Sequence, residues 1–432
     1  MRPPAAVTSR LSLRLRNLLA IVVAVVGLFA GAVGAQQRGP RPALPETPFC
    51  YDDRLPGVSM AVGCGGIQPS AETLARQRRL RDHRATLGRV LFYDRRLSKN
   101  GKRSCGSCHQ QALGFADGQA RSRGFRGKRT RRNSMPIVNL AYHKGPLFWD
   151  GRAAKLEQMV LMPIEDDLEM GHDVDEVLRV LRRDPDYVAL FDRAFESRYI
   201  DRERLGIALA TFVRALVSHR SRYDDGLAAA NGDVKQPFAN FTASENRGKA
   251  LFFGTGGGDS CAACHVGRVD GRCGSYIPGT PQVFAHDGLR NNGLPDRGGR
   301  RDRGHAAVSG RDADVRRFRA PSLRNVAVTG PYMHDGRFRT LAEVVDFYAR
   351  GVRNGKTLDP LLRRSESGGS WGGRSGGATL PMLGGALHSP ASPVSLGFPM
   401  DTRARRDLVA FLETLTDESF LRDPRFSDPF VR

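Results

Sequence analysis

The chain has 432 residues, a hydrophobic fraction of 40 % and 67 Lys and Arg against 45 Asp and Glu, for a formal charge of +22. That length supports two or three domains with their own cores and excludes a small scaffold that depends on cross-links to fold. Charge of this sign steers acidic partners, but no nucleic-acid motif accompanies it, and nucleic acid is not an expected partner.

Arg2, Arg10, Arg14 and Arg16 precede an apolar run from Leu18 to Val33, closed by Gly34-Ala35-Gln36. A positive n-region, an apolar h-region and a small-residue cleavage site predict a signal peptide over residues 1–35, cleaved near Ala35. The run is short for a spanning helix, so membrane contact is expected only through this segment, if it stays uncleaved. Residues 36–71 follow as an extended N-terminal segment rich in Pro and Gly. It carries Cys50 and Cys64, close in sequence and bound for an oxidising compartment, where a disulfide between them is the favoured pairing. Cys273 is then left over without a role.

Leu74, Leu80, Leu87, Val90, Leu91 and Phe92 recur at helical spacing and predict a helix over 72–94. Directly after it stands Cys105-Gly106-Ser107-Cys108-His109, and a second copy stands at Cys261-Ala262-Ala263-Cys264-His265. Cys-x-x-Cys-His is the c-type haem attachment pattern: two thiols add to the haem vinyl groups, and the histidine becomes the proximal iron ligand. A zinc or dithiol site shares the cysteine spacing, but a histidine after both pairs favours haem. Two covalently bound haem c groups are therefore expected. Export fits this attachment, and the expected location is the periplasm.

Gly248, Leu251 and Phe252 precede the second motif as Gly88, Leu91 and Phe92 precede the first. This echo predicts two cytochrome c-like domains, each opening with a helix against its haem. Arg121–Arg132 reads as a basic loop, solvated by default. Residues 174–230 read as helical, and Leu408, Val409, Phe411, Leu412 and Leu415 form a last apolar helical face. A Gly/Ser-rich insertion at about 364–395 reads as flexible. The predicted fold is mainly α: two cytochrome c-like haem domains, 72–235 and 236–432, packed about an inter-domain interface with few strands.

Around the two motifs stand Leu87–Leu97, Leu147–Arg152 (LFWDGR), Pro163–Gly171 (PIEDDLEMG), Arg319–Asn325 (RAPSLRN), Thr329–Phe338 (TGPYMHDGRF), Leu408–Thr416 and Asp423–Phe430. In this order the words resemble the bacterial di-haem cytochrome c peroxidase and MauG superfamily over nearly the whole mature chain. The resemblance implies a haem-dependent oxidoreductase in which the N-terminal haem meets hydrogen peroxide and the C-terminal haem relays electrons. The electrons would come from a small periplasmic donor, a cytochrome c or cupredoxin, or from an oxidisable substrate. A non-catalytic di-haem electron carrier is the alternative.

The resemblance also implies roles for single residues. Phe125 matches the place of a distal histidine and cannot ligate iron, which leaves the first haem open; Lys128 and His143 are the rival ligands. Glu169 matches the acid/base carboxylate, Pro163 a residue shaping the same pocket and Trp149 a tryptophan near the first haem. Met159 stands where many relatives have a pocket glutamine, with Gln158 beside it. The second-haem ligand matches Tyr348, as in the MauG-like branch, with Met333 as rival and Met382 and Met400 more distant; phenolate would favour oxidised iron. A tryptophan ahead of the second motif is replaced by Asp259. One calcium ion is implied, held by Asn133, Thr329 and Pro331.

Overall fold

The computed structural model describes residues 40–52, 70–254, 260–266, 284–285, 287–297, 301–364 and 395–430. The signal peptide, Cys64 and its pairing with the exposed Cys50, Asp259, Cys273, Met382 and the Gly/Ser insertion lie outside them. Two compact units are distinguished. In one, Pro42 and Phe430 form an isolated antiparallel bridge; the other is residues 44–429 and holds everything described below. No helix among the described residues is long and apolar enough to cross a membrane.

Helix α1 (Ala71–Tyr93) starts at Ser70, whose hydroxyl accepts the Thr73 amide at 3.2 Å, and every residue from Ala85 to Tyr93 is buried. After the first motif and two single-turn helices come α2 (Val174–Arg183), α3 (Pro185–Phe195), α4 (Arg202–Ala215) and α5 (Arg222–Ala229). Asp173, Asp184 and Asp201 cap the first three, each accepting a first-turn amide, so short polar residues divide one predicted helical stretch into separate rods. Helix α6 (Ala243–Phe253) opens on a Thr242/Glu245 capping box, α7 is Leu341–Asp346, and α8 is Thr402–Glu413. Among the described residues strands are few: β1 (Leu289–Arg290) pairs antiparallel with β2 (Phe318–Arg319), and β3 (Arg363–Arg364) with β4 (Ser395–Leu396).

The sequence echo becomes a repeated packing unit. A Cβ on Gly88 would lie 2.0 Å from the Ala208 carbonyl oxygen, and one on Gly248 would lie 1.9 Å from that of Asp407. Glycine therefore lets α1 touch α4, and α6 touch α8, backbone to backbone. One turn on, Phe92 meets Phe212 at 5.2 Å between ring centroids, and Phe252 meets Phe411 at 5.1 Å. Each half also turns on a left-handed asparagine. Asn139 (φ 58°) donates its amide to Leu216, and Asn325 (φ 59°) donates its amide to Leu415.

The cores do not divide cleanly at residue 235, where the sequence placed the boundary. Tyr223 and Leu227 of α5 belong to the aromatic core of the second half, with Phe252, Phe284 and Phe411. Conversely, the chain beyond α8 returns to the first half. Phe420 packs on Phe115, Phe426 on Phe212, and the Tyr93 hydroxyl donates to the Phe426 carbonyl at 2.7 Å. Burial of large aromatic side chains drives both exchanges.

Candidate functional site: two facing clefts

The first motif folds as a tight turn in which the His109 amide donates to Cys105 at 2.9 Å; in the second, His265 donates to Cys261 at 3.0 Å. Each motif lines a cleft. The first encloses about 1620 Å³ and the second about 1450 Å³, open mouths included.

His109 Nδ1 lies 2.8 Å from the carbonyl oxygen of Phe115, a residue held in the left-handed region at φ 61°. Nδ1–H donates there, which leaves Nε2 as the free ligand atom, the arrangement of a proximal haem histidine. Burial pushes the Cys105 thiol up to about 12 and the Cys108 thiol to about 11. Cys261 and Cys264 are pushed up to about 12 and about 11 for the same reason. Burial therefore keeps all four thiols protonated at neutral pH. Among the described residues no three His, Cys, Asp or Glu side chains converge as a metal site. Residue by residue, then, the donors fit haem.

Glu169 and Pro163 both line the first cleft with His109. Pro163 lies in the helical turn Met162–Glu165 and its carbonyl accepts the Met170 amide at 3.1 Å, so the turn fixes the Glu169 segment. Burial, and secondarily the charge of Asp166, raises the Glu169 carboxyl to about 7, against the opposing pull of Arg152 and Arg131. A carboxyl titrating there can both take and return a proton near neutrality. Met159 also lines this cleft, beside Met170, and makes that wall apolar.

Phe125 stands differently from its expected place. Its ring covers Gly171, where a Cβ would meet it at 2.1 Å, and it does not line the cleft. Its amide donates to the Glu169 carbonyl at 2.8 Å while Asn100 donates to its own carbonyl at 2.7 Å. Phe125 thus braces Glu169 from outside. Lys128 is exposed, and His143 is engaged by Asp287 at 3.1 Å and by the Pro146 carbonyl. Neither lines the cleft, and among the described residues His109 is its one imidazole.

The second cleft brings both rival ligands together. Helix α7 runs into a wider π turn, Phe347–Gly351, which carries Tyr348 into the cleft. Asn292 Nδ2 lies 3.3 Å from the Tyr348 hydroxyl oxygen and 3.5 Å from the Met333 sulfur. Burial pushes the Tyr348 phenol up to about 12, a shift that Asn292 opposes. Met400 also lines this cleft. Asn292 has no signal in the sequence, because only the fold brings residues 41 and 56 positions away to its amide.

Trp149, Asn133 and Arg319 line both clefts. Phe148 (φ 65°) and Gly151 (φ 72°) form a tight turn that the Leu147–Ala153 bridge closes. Trp149 Nε1 donates to the Asn133 carbonyl at 2.9 Å, and the Arg319 amide donates to the Trp149 carbonyl at 2.8 Å. Beside them the His334 ring stacks on Phe318 at 3.9 Å. Burial lowers this imidazole to about 4, so it is neutral. Asn133, Thr329 and Pro331 all face the second cleft. The Asn133 Nδ2 donates to the Gln119 carbonyl at 2.9 Å, which leaves Oδ1 as an acceptor of the kind calcium takes.

Two clefts on one helical chain, each floored by its own Cys-x-x-Cys-His, define the class: a protein with two haem centres. The sequence profile of the di-haem cytochrome c peroxidase family matches residues 82–232. MauG, the methylamine utilization protein of Methylorubrum extorquens, is 36 % identical over 341 residues, 78 % of this chain and 80 % of that one. The cytochrome-c peroxidase IdrP1 of Denitromonas iodatirespirans is 38 % identical over 303 residues, 66 % and 78 % of the two chains. The crystal structure of a MauG-like protein associated with microbial copper homeostasis superposes with a TM-score of 0.59 at 32 % identity, covering 80 % of this chain and 93 % of that one. The chain belongs to the di-haem cytochrome c peroxidase and MauG family and is a haem-dependent oxidoreductase.

Proposed function

We propose that the chain is a periplasmic c-type peroxidase of the MauG-like branch. It would use hydrogen peroxide at the first haem and draw electrons through the second. The observation that carries this reading is the asymmetry of the clefts. One brings His109 and a carboxyl raised to about 7 into the same cleft; the other sets a tyrosine and a methionine around one amide. Cys105 and Cys108 would hold the first haem covalently, and Cys261 and Cys264 the second, with His109 and His265 as proximal ligands. When bound, the haems supply peroxide reduction at one iron and electron relay at the other.

The protein's own part is proton management and positioning. Glu169 takes the proton from the inner peroxide oxygen and returns it to the outer one. Pro163 and Phe125 hold that carboxyl in place, and the apolar Met159 wall limits water beside it. Tyr348 would ligate the second haem, Trp149 would connect the clefts, and Asn133, Thr329 and Pro331 would hold calcium. The apolar run at Leu18–Val33 behind four arginines supports export. The reductant is a small periplasmic redox protein, a cytochrome c or cupredoxin, or a substrate being oxidised.

Optical and EPR spectra of the haem-loaded ferric protein, before and after stoichiometric hydrogen peroxide, test this. One high-spin and one low-spin haem, with an immediate spectral change on peroxide addition, is the expected result. Two low-spin haems indifferent to peroxide, in the ferric and the half-reduced protein alike, would leave only an electron carrier.

A further inference from the structure

Arg319 is only 5 % exposed, yet its side chain lines both clefts. Its Nε is buried without a hydrogen-bond partner, and among the described residues no carboxylate lies within ion-pair distance of it. The arginines around it are provided for. Arg132 holds Asp150 at 2.6 Å and Asp302 at 2.8 Å, Arg290 holds Asp359 at 2.9 Å, and the fully buried Arg324 holds Asp224 at 2.7 Å. Burial lowers Arg319 to about 10, with only the more distant charge of Asp287 in opposition. Even so it is cationic at neutral pH. A buried cation left without a partner is strongly unfavourable, so the site is built for an anion that none of the described residues supplies.

The position limits what that anion is. Arg319 is fixed by its strand pairing with Leu289 and by its amide bond to the Trp149 carbonyl, at the wall where the two clefts meet. Anything filling either cleft meets this guanidinium. Its planar fork of five N–H donors can serve two carboxylates at once, which a lysine cannot do with the same geometry. We propose that Arg319 takes a propionate carboxylate from the haem in each cleft and acts as the shared counter-charge that links the two centres. The proposal rests on both clefts holding haem. It makes Arg319 a positioning residue that holds the haem edges beside Trp149 and sets both reduction potentials together. A positive charge disfavours the ferric state, and neutralising a propionate disfavours it further, so Arg319 raises both potentials.

The test is spectroelectrochemistry of the haem-loaded protein and its Arg319→Gln and Arg319→Lys variants, with haem counted per chain by pyridine haemochrome. The expected result is two haems per chain in all three proteins, with both midpoint potentials shifted downward in Arg319→Gln and less so in Arg319→Lys. Potentials that stay put in both variants, or a shift confined to one haem, would overturn the shared role. If the glutamine variant loses haem, Arg319→Lys carries the same comparison, since it keeps the charge and loses the fork. An unmodified protein with fewer than two covalent haems would instead sink the functional reading above.

Discussion

Glu169 has a carboxyl titrating near 7 only because it is buried beside Asp166 while Arg152 and Arg131 pull the other way. As proton acceptor it must be ionised, and its ionised fraction grows as pH rises through about 7. The rate of reaction with peroxide should therefore climb through an inflection near that pH. Glu169→Gln should flatten the profile and cost roughly 10²–10⁴-fold in rate. Stopped-flow rates from pH 5 to 9 measure both, and an unchanged profile in the variant would place the proton transfer elsewhere. At the second haem the choice between Tyr348 and Met333 is a contest for one iron, since Asn292 reaches both. Tyr348→Phe should abolish the low-spin ferric EPR signal of that haem while Met333→Leu keeps it; the reverse result would make the thioether the ligand. The rivalry of Tyr348 and Met333 was already legible in the sequence; the amide that reaches both was not. Tyr348 was legible from its register after His334, but Asn292 and Arg319 were not, because a lone amide or one arginine among 67 basic residues carries no local mark of burial. Phe125 matched its expected place in order along the chain, yet its ring turns to Gly171, a direction that only the Glu169 segment dictates.

Helix pairing is where the two halves repeat, and glycine sets its distance. Alanine at Gly248 would bring a methyl group 1.9 Å from the Asp407 carbonyl oxygen, a backbone atom that cannot swing aside. Alanine gains about 1 kcal/mol of helix propensity over glycine, but overpacking at a closed interface costs roughly 1–3 kcal/mol. Contact this short lies at the upper end, so Gly248→Ala and Gly88→Ala should each lower the melting temperature, and a rise would mean that the helices slide apart freely. The same α6–α8 seam carries the Arg247–Asp407 ion pair at 2.6 Å, and the hydrogen bond from Arg247 holds the Asp407 carboxyl down to about 2. A folded-state carboxyl below its ordinary value stabilises the fold above pH 4 and loses that contribution as pH falls towards 2. Asp407→Asn should therefore flatten the acid limb of a stability-against-pH curve between those values. These seams were legible because Gly, Leu and Phe recur at fixed steps before each motif. The exchange of Tyr223 and Phe426 between cores was not, since it follows from which aromatic surface remains uncovered once the helices have paired.

Across the whole molecule, two charges of different reach govern electron flow. Inside, Trp149 and Arg319 join the clefts through one backbone hydrogen bond, and on the proposed function electrons relayed between the two centres cross that wall. Trp149→Phe keeps an aromatic ring but loses the Nε1 bond to Asn133, so it should slow oxidation of the second haem after peroxide addition while leaving the first haem's own reaction rate unchanged. Outside, the formal charge of +22 falls only to +18 without residues 1–35, which hold four arginines and no acid. Haem propionates offset part of this without reversing it, and Arg319 buries its share. A field of that sign draws an acidic donor towards any face, and its reach is set by the Debye length, about 30 Å at 0.01 M salt and about 8 Å at 0.15 M. Reduction by an acidic cytochrome or cupredoxin should accordingly lose about tenfold or more in second-order rate between those salt concentrations. A small neutral reductant should show no such slope. If the physiological donor gives a flat salt profile, it is either uncharged or a substrate that enters a cleft, and the oxidase reading gains over the peroxidase one. A rate that rises with salt would instead identify a basic donor, held off by the same field.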